Sequence, residues 1–159
     1  MNRQKSLNFN KSERLRHKTL VDNLFEQGQH VTVFPMKFTW RLLSEEELKS
    51  AFRTEVPDRL GRLQVMFTVP KRKLRHAVDR VAMRRRMREA WRLNRCPLKE
   101  FLSQSPDVRS LSVACVYLAD HRSSSEKIKV RMIKALDILT RDVKNYLEHG
   151  EEDTSTRGL

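Results

Sequence analysis

Between Lys71 and Arg95 the chain reads KRKLRHAVDRVAMRRRMREAWRLNR, in which eleven of twenty-five residues are Lys or Arg. Asp79 and Glu89 are the two acids opposing them, so this segment holds +9 of the chain's formal +13. Most of the run has helical spacing. A helix so charged needs a body to carry it and a polyanion to relieve its repulsion, and the polyanion that fits best is a phosphate backbone. At about 100° per residue, Met83, Met87 and Ala90 fall in one narrow arc with Trp91 at its edge, which is the side to bury. Arg84, Arg85, Arg88, Arg92 and Arg95 fall within about 100° on the adjacent face. An ordinary charged surface helix intersperses Glu at i+4. Here Glu89 alone does so, and on the wheel it lies off the arginine face. A mixed charge run is ordinarily a solvated surface, but a one-sided stripe of guanidinium groups suits bidentate phosphate binding.

The rest of the chain must supply the body. Its 159 residues suit one domain with a real core, although a third of them are charged. No stretch approaches the roughly 20 apolar residues of a membrane span. The start, MNRQKSLNFNKSERLRHK, has no apolar core of a signal peptide, so the expected compartment is the cytoplasm. Cys96 and Cys115 are too few for a disulfide framework and read as free thiols.

Residues 1–10 read as a flexible N-terminus and 148–159 as an acidic, disordered tail, leaving a domain over 11–147. Asn10 or Ser12 can cap a first helix running to about Gln27, which Gly28 stops. From Val31 to Leu43 the period changes to two, with Pro35 as an interruption, which predicts two short strands or one bulged strand. Residues 44–61 form a polar connection, and a strand follows from Arg62 to about Val69. The basic helix spans about Arg75 to Arg95, with one further turn in CPLKEFL. LSVACVYLA, residues 111–119, has the continuous apolar character of a central strand covered on both faces. Ile128, Met132, Leu136, Leu139, Val143 and Leu147 repeat at helical spacing and predict a last helix from about Ser123 to Leu147. The order α-β-β-β-α-β-α predicts one α/β sandwich: a mixed, mainly antiparallel sheet of about four strands with three helices.

The stretch VPKRKLRHAVDRVAMRRRMREAWR, residues 69–92, resembles the signature of the bacterial ribonuclease P protein subunit. That signature is a strand ending in a basic pair, a short turn with Ala-Val, an Arg-Asn-Arg triplet and a helix of the form (K/R)R..RE..(F/W/Y)R. Lys71 and Arg72 match the pair, and Arg75, Ala77 and Val78 match the turn. Arg80 matches the first arginine of the triplet, and Arg84, Arg85, Arg88, Glu89 and Arg92 match the helix. The N-terminal helix fits as well, with Arg14-Leu15, Phe25 and Gly28. The resemblance covers about residues 9–147 and is specific at 71–92. One departure is clear: the triplet reads Arg80-Val81-Ala82, so two polar RNA contacts are missing, and Val81 and Ala82 are not placed among the RNA ligands.

The resemblance implies an endoribonuclease that works as a ribonucleoprotein, in which an RNA subunit binds Mg2+ and removes the 5′ leader of precursor tRNA. By the same resemblance, the protein would contribute no catalytic residue. It would grip the RNA subunit through Lys71, Arg72, Arg75, Arg80, Arg84, Arg85, Arg88 and Arg92, and hold the single-stranded leader between the first helix and the sheet. The resemblance also implies a left-handed βαβ crossover around the basic helix. Leader binding needs flat apolar surfaces beside cations. Val21, Phe25, Phe38 and Trp40 are the candidate surfaces, with Lys37, Arg14 and Lys18 as phosphate partners. Aromatics at strand spacing also suit a core. The implied partners are the RNA subunit and precursor tRNA, with no membrane and no protein partner.

Other chemistry finds little support in the residues. Carboxylates cluster at Glu45–Glu47 and in the tail, where solvated acidic runs are the simpler reading, so a protein-only metal nuclease is not expected. The five His show no zinc spacing with the Cys, and the chain has four Gly and no phosphate-cradling loop. The alternative class is a non-catalytic basic RNA-binding protein, such as a ribosomal protein or an assembly factor. A helix for the DNA major groove ranks third, because Asn94 stands alone as a base-reading amide among the arginines.

Overall fold

The period-two segment is a hairpin of two antiparallel strands, β1 (Gln29–Val33) and β2 (Met36–Leu43), with Pro35 in the turn between them after a cis Phe34–Pro35 bond. A computed structural model describes residues 8–52, 55–56 and 60–149. Most of the expected N-terminal extension and nearly all of the acidic tail therefore lie outside the described residues.

The further elements are α1 (Lys18–Gln27), α2 (Glu45–Ala51), β3 (Leu63–Thr68), α3 (Ala77–Asn94), α4 (Cys96–Ser103), β4 (Ser110–Tyr117) and α5 (Ser125–His149). The four strands lie in the order β1-β2-β4-β3, with β3 and β4 parallel and the other pairs antiparallel. The sheet is mixed and mainly antiparallel, as expected.

Alternation along β2 divides its side chains between two layers. Met36, Phe38, Trp40 and Leu42 join Val65, Val113, Cys115 and Tyr117 in the main core, under Met83, Met87 and Trp91 of α3 and Ile128, Met132, Leu136 and Leu139 of α5. Lys37, Thr39, Arg41 and Leu43 point to the opposite face, where Leu20 and Leu24 of α1 and Leu48 of α2 pack with Leu43 and Ala114. Strand β4 is buried along almost its whole length, and the two free thiols are the half-buried Cys96 and the buried Cys115. Burial pushes the Cys115 thiol far up, so it behaves as a small hydrophobe.

Three helical expectations need correction. The first helix is shorter: Lys11–Glu13 form a 3-10 turn, then Arg14 bridges to Val65 and the Leu15 N–H donates to the Val65 carbonyl at 3.0 Å. The chain leaves helical geometry to add beside β3, a tertiary contact that local propensity does not encode. The connection after β2 holds α2, capped by Ser44, whose hydroxyl accepts the Glu47 N–H at 3.3 Å. Ser44-x-x-Glu47 is a capping pattern that the sequence displayed. The turn after the basic helix is a full α4.

Gly28 has a steric role. A Cβ there would meet the Leu24 carbonyl oxygen at 2.4 Å and Thr39 Cγ2 at 2.7 Å, so a side chain would force the end of α1 away from β2.

Candidate RNA interface

The burial of α3 follows the sequence pattern. Met83, Met87, Ala90 and Trp91 are buried, and the Phe67 and Trp91 rings meet in a T-shaped arrangement at a centroid distance of 6.2 Å. This anchoring fixes which side chains reach solvent. Arg85 and Arg88 are exposed and Arg84 is half-buried, with no hydrogen bond or ion pair to any of them among the described residues. Lys71, Arg72 and Arg75 are exposed on the turn that leads into the helix. These six cations make the turn and the helix after it a basic surface, in which the guanidinium groups of Arg84, Arg85 and Arg88 remain available to an external acceptor.

Two expected members of this surface are already engaged. Arg80 Nη1 donates to the Leu74 carbonyl at 3.0 Å and to the Arg75 carbonyl at 2.8 Å. Its guanidinium therefore holds the basic turn against the helix. Arg92 pairs with Glu89, donating from Nη2 at 2.6 Å and Nε at 3.0 Å. That hydrogen bond, more than burial opposes it, lowers the Glu89 pKa. Glu89 was expected off the arginine face, but the length of its side chain lets it reach Arg92 one turn on.

Arg95 leaves the stripe altogether. It is fully buried, and its Nε donates to Glu13 Oε1 at 2.7 Å while Nη2 donates to Glu13 Oε2 at 3.2 Å. Further donations reach the Asn8 carbonyl at 2.9 Å and the Arg92 carbonyl. Lys99 adds a second cation on Glu13 Oε1 at 3.2 Å, and the Asn10 N–H caps Oε2 at 2.9 Å. Burial pushes the Glu13 pKa up, but the hydrogen bonds from Arg95, Asn10 and Lys99 and the Arg95 charge outweigh it and hold the carboxyl below its usual value. Glu13 was missed in the sequence. Its one local signal was the Asn10-x-x-Glu13 capping pattern, which says nothing about Arg95 82 residues away.

The candidate leader residues separate in the same way. Phe38 and Trp40 are each 1% exposed and face the α3 and α5 layer, where Tyr146 stands edge-on to Trp40 at 5.7 Å. Both are corrected to core residues, because the pleat that puts Lys37 on the α1 side puts its neighbours on the other. Phe25 is 48% exposed on α1, and Val21, one turn earlier, is half-buried against the second cluster. Lys37 is half-buried on the sheet face covered by α1, with Val116 opposite it on β4 and Thr68 opposite Val116 on β3. Burial and the Lys37 charge together lower the pKa of His30, whose Nδ1 lies 3.1 Å from Thr39 Oγ1 on this face. His30, Lys37 and Thr39 thus share the sheet face that α1 covers.

The family model described as Ribonuclease P matches residues 9–136. The chain belongs to the Ribonuclease P protein family. Two relatives, both named ribonuclease P protein component and both from Porphyromonas gingivalis (strains W83 and ATCC 33277), are each 27% identical over 128 residues, 79% of this chain and 85% of the relative. The solved structure of the Staphylococcus aureus RNase P protein matches with a TM-score of 0.54 over 81% of this chain and 96% of that one, at 13% identity. That likeness shows a shared fold. Membership of the Ribonuclease P family accords with the basic strand-turn-helix unit, and it carries no assignment of individual side chains.

Proposed function

We propose that this chain is the protein subunit of a ribonuclease P ribonucleoprotein in the cytoplasm, and that its partner RNA performs the cleavage of the precursor tRNA 5′ leader. The observation that carries this reading is the basic surface of Lys71, Arg72, Arg75, Arg84, Arg85 and Arg88 on a strand-turn-helix unit of this family. Arg80 shapes the turn of that surface, and Arg92 joins it if RNA displaces Glu89. Among the described residues no three His, Cys, Asp or Glu gather to hold a metal ion. Glu45 and Glu47 are instead drawn to Arg109 and Arg41, each at 3.3 Å. We assign the Mg2+ of the reaction to the RNA, as the resemblance to the family implies. Among the described residues no helix is long and apolar enough to cross a membrane.

The assay that tests this reading follows precursor tRNA at low magnesium with the protein alone, the RNA subunit alone and both together. Leader removal that needs the RNA and is stimulated by the protein is the expected result. Cleavage by the protein alone, or no stimulation, favours the ribosomal-type RNA-binding reading or another activity.

For leader binding we retain Val21, Phe25 and Lys37, with the Phe25 ring as the stacking platform. Phe25→Ala is expected to weaken binding of precursor tRNA by the reconstituted ribonucleoprotein by about 1–3 kcal/mol, roughly 5- to 150-fold, in line with loss of one stacked base. Mature tRNA should bind as before. Because Phe25 is half-exposed, the variant should keep its fold, and equal loss for both tRNAs would remove the leader assignment.

A further inference from the structure

The solvent face of α3 is not uniformly cationic. Its second half carries Arg85, Arg88 and Arg92, but its first turn and a half carries Ala77, Val78, Val81 and Ala82. Val78 is 75% exposed and Val81 is 38% exposed, on the same side of the helix as Arg85. Single exposed valines need no explanation. Here, however, a contiguous apolar strip lies on the most basic helix of the chain, with Lys71, Arg72 and Arg75 on the turn before it and Arg85 and Arg88 beyond it.

Resting on the reading of this face as an RNA interface, we propose that Val78 and Val81 meet an uncharged surface of the RNA subunit, the face of an unpaired base or the C–H edge of its riboses. The surrounding cations take the flanking phosphates. Such a contact is shape-dependent and releases no counterions, whereas each cation-phosphate contact does. The positive charge at both ends of the strip selects the occupant. A second copy of this chain would bring another +13 and set like charges against each other. The two valines thus fix the register of the helix on the RNA, a task that guanidinium groups sliding between phosphates perform poorly.

The test compares the full-length protein with V78K/V81K, measuring affinity for a transcript of the RNA subunit from the same genome between about 0.1 and 0.5 M salt. If the strip met phosphates, two added cations would tighten binding and steepen the log-log salt slope by about 0.7–0.9 each. The proposal expects at least a tenfold weakening that persists at the highest salt, with V78I/V81I closer to the parent. Both side chains are exposed, so a thermal melt should show the fold intact. Tighter and steeper binding, or unchanged affinity, would overturn the proposal. So would a parent dimer that the double variant dissociates without loss of RNA affinity. Failure of the interface reading itself is distinguishable, because R85E/R88E would then also leave RNA binding unaltered.

Discussion

Glu13→Ala is expected to cost about 3–5 kcal/mol of folding stability, the range for breaking a buried ion pair from one side. The variant leaves the Arg95 guanidinium fully buried with backbone carbonyls as its acceptors and no counter-charge. It also unties the N-terminal 3-10 turn from the junction of α3 and α4, because Glu13 is what Arg95 and Lys99 share. The folded pKa of Glu13 lies below its usual value, so the unfolded chain takes up the proton first as pH falls. The stabilisation is therefore complete above the ordinary carboxylate pKa of about 4.3 and is lost as pH falls through the lower folded value. Urea melts at pH 7 and near pH 3 measure this. The parent should lose the increment on acidification, and Glu13→Gln should show a smaller dependence. A Glu13→Ala midpoint equal to the parent's would mean that the pair contributes nothing net. Replacing both partners by apolar residues is the informative companion, since a buried pair can be matched by good packing.

The charge-reversed R85E/R88E protein is expected to lose most of its affinity for the RNA subunit. Removing two phosphate contacts should flatten the salt slope by about 1.4–1.8 and lower affinity by roughly 25- to 60-fold at 0.1 M salt, with the reversed charges adding repulsion beyond that. The fold should survive, because Arg85 and Arg88 are exposed and make no hydrogen bond or ion pair among the described residues. Filter binding across a salt series reads both quantities, and an unchanged slope would detach this surface from the RNA. Arg95→Ala makes the contrast. It should unfold the protein more readily, and any loss of RNA affinity should follow the loss of folded protein.

Arg95 and Arg85 also mark how far a helical wheel carries. Both fall within the same arc in projection, and both were read as one stripe. Arg85 stands near the middle of α3, where the buried arc is set by Met83 and Met87, and its exposure follows from period alone. Arg95 stands at the end of the helix, where α4 begins and the N-terminal segment crosses, and those neighbours enclose it. The same distinction separates Phe25 from Phe38 and Trp40. Alternation showed that Phe38 and Trp40 share one face of β2, but not which face would be roofed by α3 and α5. Helix α2 was missed for a different reason: its Ser44 cap and acidic first turn were visible, yet a polar segment of seven residues offers little periodicity to read.

Period and composition were enough for the main architecture: the strands, the anchored side of α3, the central position of β4 and the concentration of cations before and along one helix. These follow from local rules, because a pleat alternates and a helix repeats whatever surrounds it. The sequence also carried the family, since its signature is contiguous. Packing decided the rest. It put Glu13 against Arg95, turned Arg80 onto the basic turn, let Arg14 and Leu15 leave their helix for β3, and assigned the aromatics of β2 to the core. Each of those outcomes depends on which distant segment removes water from a given side chain, and that information resides in contacts between residues far apart along the chain.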